Sequence, residues 1–241
     1  MFQIDPIGDK GLRIQLGETI SKETNEKIRS LSLLLEKENI SGIVEWIPTY
    51  TSLSIYYDPY YISYEKLKER IGTLAGKFSQ IELPPAEVMH FPVFYGEEMG
   101  PDLSNVAKHN GLTEEEVIEI HTGSDYLIFM MGFTPGFPYL GGMSEKIATP
   151  RLAEPRLKIP VGSVGIAGSQ TGVYSMETPG GWQLIGRTPL ELYDPTREKP
   201  ILLQAGNYIR FVQVSKTEYI EIDNLVKQNK YHPHIEPFKG E

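Results

Sequence analysis

Cysteine is absent from this chain of 241 residues. Without thiols, disulfide bonds, thiolate zinc sites and a cysteine nucleophile are all excluded, and the composition suits a cytoplasmic protein. Basic residues are also scarce, with 23 Lys and Arg against 32 Asp and Glu and a net charge of -9. Because this charge repels phosphate backbones and anionic lipid headgroups, we expect no nucleic acid and no membrane surface among the partners.

Long apolar runs are missing as well. No stretch reaches the roughly 20 apolar residues that a membrane-spanning helix needs. Residues 1–5 do not form a basic region that leads into an apolar run, so we expect no export of the chain.

Several familiar motifs of nucleotide, nucleophile and metal chemistry are also missing. Residues 72–78 resemble a phosphate loop, but the spacing is one residue short, Phe78 replaces the metal-binding hydroxyl, and the segment lies inside a helical pattern. No G-x-S-x-G elbow is present, and no catalytic residue can be named. The five histidines show no metal-binding spacing, so no metal site is predicted.

The residues predict an α+β chain with two domains. Residues 1–84 show apolar patterns in the order ββαββα, with helices over 21–39 and 64–78. We classify this part as a small α/β domain of the ferredoxin-like type. Pro84 and Pro85 stiffen an extended connection and cannot continue a helix, so they mark the boundary.

Residues 85–241 form the second predicted domain, which is mostly β. A strand over 88–95 and two short helices come first, and the capping pair Thr113 and Glu116 starts the second helix. Further strands are predicted over 201–203, 207–214 and 218–221. This pattern fits a closed barrel with two helices near one side, while the polar tail over 227–241 is expected to fray.

Glycine and proline interrupt residues 129–187 so often that no helix could propagate there, and this stretch is predicted to consist of strands and turns. Its turns are dense in binding groups: planar arginine donors, a carboxylate, neutral hydrogen-bonding groups and aromatic walls. These candidate site residues are Thr134, Phe137, Tyr139, Arg151, Arg156, Gln170, Tyr174, Glu177, Trp182 and Arg187. Loops on a rigid β scaffold often carry function, although hairpin turns and arginine clamps on carbonyls account equally well for these residues.

Two kinds of ligand suit this set of residues. Arginine matches a carboxylate in a two-pronged geometry and aromatic walls exclude water, so the set can hold a small carboxylate or amide. Aromatic grooves also favour a rigid proline-bearing peptide, and the residues alone do not choose. Among the arginines, Arg156 is predicted to line the pocket and Arg187 to brace the scaffold.

Four segments of the same stretch resemble the signature of a known family. They read F-T-P-G-F-P-Y-L-G-G, P-R-L-x-x-P-R, P-x-G-S-V-x-I-A-G-x-Q-T-G-x-Y and E-T-P-G-G-W-x-L-I-G-R-T-P. Over about sixty positions, their order and spacing resemble the KipI family, whose members are also called allophanate hydrolase subunit 1 or the B subunit of 5-oxoprolinase. The resemblance implies that the second domain is a cyclophilin-like β-barrel.

The resemblance also implies a function. It points to one component, inactive alone, of an ATP-dependent 5-oxoprolinase that opens 5-oxoproline to glutamate. The expected partners are the KipA-like C subunit and the A subunit of that enzyme, and ATP is expected to serve the complex, since this chain has no nucleotide loop.

A regulatory role is the second expectation that the resemblance supports. Within the family, the sequence is most similar to an inhibitor of a sporulation histidine kinase, which implies docking on the kinase dimerisation and phosphotransfer domain and a block of autophosphorylation. Both roles can coexist, and a purely regulatory protein without a metabolic role is the alternative. Prolyl isomerisation, suggested by the cyclophilin-like barrel alone, comes third because fold does not imply function.

Overall fold

The chain divides into two units, Met1–Pro85 and Ala86–Glu241. They are called here the amino-terminal and carboxy-terminal units. The computed structural model describes residues 2–78 and 81–240. None of the helices within these ranges combines the length and the apolarity needed to span a membrane.

The amino-terminal unit has the predicted element order ββαββα. Its elements are β1 (Gln3–Ile7), β2 (Gly11–Gln15), α1 (Lys22–Glu38), β3 (Ile43–Pro48), β4 (Ser52–Tyr57) and α2 (Tyr64–Ala75). The strands form an antiparallel sheet in the order β1-β2-β4-β3. A ferredoxin-like domain has the order βαββαβ, so that classification is not confirmed.

Local capping explains the bounds of α1. The side chain of Ser21 accepts a hydrogen bond from the backbone N–H of Thr24, which satisfies a free donor of the first turn. Asn39 adopts the left-handed conformation, with φ 41°, and ends the helix. Ile28 and Leu31 are buried on the inner face of the helix, so capping and apolar spacing together produce the predicted helix.

The carboxy-terminal unit is mostly β, as predicted. Its elements are β5 (Glu87–Tyr95), α3 (Leu103–Asn110), α4 (Glu114–Thr122), β6 (Asp125–Met131), β7 (Pro138–Gly141), a short 3-10 helix (Glu145–Ile147), β8 (Arg156–Ile159), β9 (Ser163–Ala167), β10 (Gln170–Val173), β11 (Thr178–Gly180), β12 (Gln183–Arg187), β13 (Tyr208–Gln213), α5 (Lys216–Lys227) and β14 (Ile235–Pro237). The main sheet runs β10-β9-β12-β5-β13-β6-β7, and β14 pairs with β5. Because β7 and β10 at its two ends lie beside each other, the sheet is a nearly closed barrel. Strands β8 and β11 form a separate two-stranded ribbon.

The end of the chain differs from its prediction. Residues 218–221, predicted as a strand, lie within α5, because Ser215 and Glu218 form a capping box that starts a helix there. The tail does not fray within the described residues: β14 pairs with β5, and the Phe238 ring stacks on Tyr208 with centroids 3.8 Å apart. Backbone pairing and ring stacking thus replace the expected solvated tail. At 201–203, the structure has only a bridge from Ile201 to Tyr193.

A buried histidine organises the barrel core. His121 is fully buried, and its Nδ1 lies 2.7 Å from the Tyr95 hydroxyl. Its Nε2 lies 2.9 Å from Thr171 Oγ1, which donates in turn to the carbonyl of Gly165. The ring also stacks on Phe211, with centroids 4.3 Å apart. Since Thr171 uses its proton on Gly165, its oxygen accepts from Nε2–H, and Nδ1 accepts from Tyr95: the imidazole is neutral.

This network predicts a pH dependence of stability. Burial lowers the pKa of His121 from 6.5 to about 3. Between these pH values, the imidazole is protonated in the unfolded chain but not in the folded chain. The contribution of His121 is complete above pH 6.5 and is lost as the pH falls towards 3. Between pH 7.5 and 5, the free energy of unfolding should fall by about 2 kcal/mol through this group.

Urea unfolding of the wild type and of His121→Gln at both pH values measures the effect, because only the wild type carries this term. His109→Gln, a substitution at an exposed position of α3, is the matched control and should follow the wild type. Parallel pH dependence in the wild type and His121→Gln would contradict a neutral buried imidazole.

Candidate functional site

A cleft with aromatic walls opens on the carboxy-terminal unit, with a volume of about 360 Å³. We call it the aromatic cleft. It is formed by the turn before β7, the start of β10 and the loops on either side of the β8–β11 ribbon. Its lining residues are Phe133, Phe137, Tyr139, Arg151, Pro155, Gln170, Tyr174, Pro179, Gly180, Gly181 and Trp182.

Phe137 is the centre of the aromatic packing. Its ring makes edge-to-face contacts with Phe133, Tyr139, Tyr174 and Trp182, at centroid distances of 5.6, 5.4, 5.8 and 5.9 Å. Such contacts contribute on the order of 0.5–1.5 kcal/mol each beyond the burial of apolar area. Phe137 itself is 3% exposed, so one buried ring fixes the orientation of four others that face the cleft.

The backbone at the cleft rim is strained. Phe133 has φ 64°, and Thr134 N–H donates to the carbonyl of Gly132 across it at 2.7 Å, which makes a γ-turn of the rare positive-φ form. A bulky residue in this conformation costs about 1–3 kcal/mol. The turn holds the Phe133 ring 66% exposed at the cleft, an arrangement common at binding sites.

Two glycines let the rings pack directly against backbone. A Cβ added to Gly180 would lie 2.5 Å from the Tyr174 hydroxyl oxygen and 2.7 Å from Cδ1 of Ile159. A Cβ on Gly172 would lie 3.1 Å from the Trp182 ring and 3.2 Å from the Phe137 ring. The glycines of this stretch thus serve ring packing as well as turns.

The polar lining combines one cation with neutral groups. Arg151 is exposed at the cleft, and within residues 2–78 and 81–240 its guanidinium has neither an ion pair nor a hydrogen bond. Burial raises the pKa of Tyr174, although Arg151, a backbone hydrogen bond with Trp182, and Arg156 act in the opposite direction. The phenol is therefore neutral at physiological pH. Among the described residues the lining contains Gln170 but no Asp or Glu, so the cleft suits a small anion that carries hydrogen-bonding groups.

Arg156 is predicted to line the pocket, but it is not among the lining residues. Its charge is instead paired with that of Asp102. Nη2 lies 2.7 Å from Asp102 Oδ1, and Asp102 Oδ2 accepts the backbone N–H of Leu184 at 2.7 Å. Nη1 donates to the carbonyl of Trp182 at 3.4 Å. Arg156 therefore joins β8, the N-terminal end of α3 and the strand that follows Trp182, from a position behind the cleft lining.

Three other candidate residues also lie outside the lining. The hydroxyl of Thr134 is 3.1 Å from that of Ser175, and Glu177 pairs with Lys158 at 2.8 Å. Arg187 Nε donates to the carbonyl of Val161 at 2.8 Å, beside a second cavity of about 530 Å³.

The structure therefore brings together six of the ten predicted residues. These are Phe137, Tyr139, Arg151, Gln170, Tyr174 and Trp182. The lining residues that the sequence reasoning missed are Phe133, Pro155, Pro179, Gly180 and Gly181. Each of them lies within two positions of a predicted residue, so the motif segments themselves carried the available signal.

Comparison with known proteins establishes the relationship. Residues 2–203 match the family described as carboxyltransferase domain, subdomain C and D. The chain belongs to this family. It is 43% identical over 228 residues to the B subunit of 5-oxoprolinase from Bacillus subtilis, covering 90% of this chain and 95% of that protein. The resemblance found in the sequence is confirmed.

A second relative and a solved structure extend the comparison. The chain is 42% identical over 207 residues to the B subunit of 5-oxoprolinase from Escherichia coli O157:H7, covering 86% of this chain and 93% of that protein. The crystal structure of the K. lactis urea amidolyase matches 98% of this chain and 16% of that much longer one, with a TM-score of 0.76 at 19% identity. The latter similarity shows that the fold is shared.

The two arginines of the P-R segments should respond differently to substitution. Arg156→Ala strands the carboxylate of Asp102, whose side chain is 11% exposed, and should lower the free energy of unfolding by about 1–3 kcal/mol. Arg151→Ala removes an exposed side chain that has no ion pair or hydrogen bond among the described residues. This substitution should change the free energy of unfolding by less than about 0.5 kcal/mol. Urea unfolding of both variants provides the measurement. Equal losses, or a larger loss for Arg151→Ala, would show that their positions have been misread.

Proposed function

We propose that this chain is the B subunit of an ATP-dependent 5-oxoprolinase and that its aromatic cleft binds 5-oxoproline. The names of the relatives at 42–43% identity support this role within a larger enzyme. The observation that carries the cleft assignment is Arg151, a cation without an ion pair in the described part of the chain, beside aromatic walls and a lining without carboxylates.

The chemistry of the ligand matches that lining. 5-Oxoproline is a small five-membered lactam with one carboxylate. The guanidinium of Arg151 can take the carboxylate in a two-pronged bond, while Gln170 and the neutral Tyr174 offer groups for the lactam amide. The Phe137 and Trp182 rings provide an apolar wall that limits water around the ring of the ligand.

The rest of the reaction requires partners. In the part of the chain that the structure describes, the cleft lining offers no recognisable nucleophile and no carboxylate that could serve as a base. Residues 72–78, the candidate phosphate loop, do not suit ATP either. The part of this segment up to Ala75 belongs to helix α2, where the backbone N–H groups form hydrogen bonds within the helix and cannot bind phosphate. We therefore place ATP binding on a partner protein, and the KipA-like C subunit and the A subunit complete the cytoplasmic complex.

Kinase inhibition is a second candidate function, favoured by one exposed apolar side chain at the cleft and another close to it in the sequence. Phe133 is 66% exposed, and Leu157, two residues after the lining Pro155, is 93% exposed. Exposed apolar side chains at an aromatic cleft suit a proline-containing helix junction of a histidine kinase dimerisation and phosphotransfer domain. Both roles use the same face, so assembly of the enzyme and kinase docking should compete.

The first prediction of the proposed function concerns activity. The purified chain should not convert 5-oxoproline to glutamate, whereas the reconstituted complex of all three proteins with ATP should. Because one charge-assisted hydrogen bond contributes about 1.5–3 kcal/mol, Arg151→Ala should lower kcat/KM of the complex by about 10- to 150-fold. Arg70→Ala, which changes an exposed residue of α2, is the control. Turnover by the chain alone, or full activity of the assembled Arg151→Ala complex, would count against the proposal.

The second prediction concerns the kinase. The full chain should suppress autophosphorylation of a cognate histidine kinase, and Phe133→Ala combined with Leu157→Ser should weaken suppression by about tenfold or more, because two exposed apolar contacts are lost. Tyr60 in the amino-terminal unit is 94% exposed, and Tyr60→Ser is the control substitution. Undiminished phosphorylation at saturating wild-type chain would remove this candidate while leaving the 5-oxoprolinase role intact.

A further inference from the structure

A cluster of three metal-ligand side chains lies on the barrel away from the lining of the aromatic cleft. It comprises His90 on β5, Glu236 on β14 and His234 just before β14. One potential ligand atom from each residue lies within 4.8 Å of the other two. Nε2 of His90 is 3.0 Å from Oε1 of Glu236, and the two imidazole rings have centroids 4.6 Å apart. The backbone N–H of His90 donates to the carbonyl of His234 at 2.9 Å, so strand pairing fixes the cluster.

The carboxylate of the cluster is oriented by neighbouring groups. Arg210 on β13 donates from Nη1 to Glu236 Oε1 at 2.9 Å. Arg210 is itself held by both oxygens of Asp125, at 2.6 and 2.7 Å. Carboxylates that ligate metals are commonly fixed by such outer hydrogen bonds. The two carboxylates outweigh the one guanidinium, so the surroundings of the imidazoles carry a net negative charge that favours a cation.

We propose that His90, His234 and Glu236 bind a divalent transition-metal ion, with Zn²⁺ as the best match. Two imidazole nitrogens and one carboxylate oxygen suit zinc, whereas Mg²⁺ and Ca²⁺ require oxygen ligands. Tetrahedral zinc places its ligand atoms about 3.4 Å apart, which the His90–Glu236 pair already approaches. His234 is exposed, so its side chain has the freedom to complete the set. The fourth position is open to water.

The location gives the ion a structural consequence. Since His234 and Glu236 belong to the segment of β14 and His90 belongs to β5, one bound ion links the end of the chain to the barrel. The spacing along the sequence predicts no metal site, and the ligands come together only because β14 folds back over 146 positions to pair with β5. The alternative is that the cluster is a plain His90–Glu236 hydrogen bond that binds no metal.

Isothermal titration with ZnCl₂ tests the proposal on the full chain, prepared without a histidine tag and freed of metal with a chelator. One equivalent should bind to the wild type, with no binding of MgCl₂. His234→Gln should weaken zinc binding at least tenfold, because it removes a ligand. The control His232→Gln changes an exposed histidine two residues away and should bind like the wild type.

A second readout separates ligation from folding. Hydrogen exchange of the β14 amides should slow on zinc addition in the wild type and in His232→Gln, but not in His234→Gln. His234→Gln changes an exposed side chain, so its melting temperature without metal should match the wild type. Absence of stoichiometric zinc binding by the wild type, or equal affinity in His234→Gln and His232→Gln, would overturn the site.

Discussion

The carboxylate of Asp102 is the contact on which the arrangement of the cleft depends. The Asp102 side chain is 11% exposed and accepts a hydrogen bond from Arg156 of β8 with one oxygen and from the backbone N–H of Leu184 in β12 with the other. A buried carboxylate costs several kcal/mol unless it is paired. These hydrogen bonds therefore hold β8, β12 and the start of α3 together. Trp182 lies immediately before β12, and its carbonyl accepts from Arg156. The wall of the aromatic cleft is thereby fixed to the helix side of the barrel.

This constraint explains how a rigid cleft arises in loops. The rings surround Phe137, and Gly172 and Gly180 let them reach the backbone without a Cβ in the way. Arg156 uses its charge inside the scaffold, whereas Arg151 keeps its charge at the cleft. In a chain with a net charge of -9, that local cation is the reason why we propose the cleft as a site for a small carboxylate. Preorganised rings and one available guanidinium bind a ligand with little loss of side-chain freedom.

Features set by local chemistry could be predicted from the sequence. The ends of α1 follow from the cap at Ser21 and the left-handed Asn39, and six of the ten candidate residues share the cleft. Arg151 and Arg156 have similar neighbours in the sequence. Only the fold shows that Arg156 is the arginine that pairs with Asp102, which lies 54 positions away. The helix at 216–227 begins with a capping box of Ser215 and Glu218 that is visible in the sequence, whereas the pattern of residues 218–221 alone predicts a strand.

Fluorine NMR of this chain labelled with fluorotryptophan tests most directly whether the aromatic cleft binds 5-oxoproline, as we propose. The chain has two tryptophans, so in the assembled complex the Trp182 signal reports on the cleft and the Trp46 signal in β3 serves as an internal reference. We expect a saturable shift of the Trp182 signal on addition of 5-oxoproline, with the Trp46 signal unchanged. An unchanged Trp182 signal at concentrations that saturate turnover would contradict binding in the cleft.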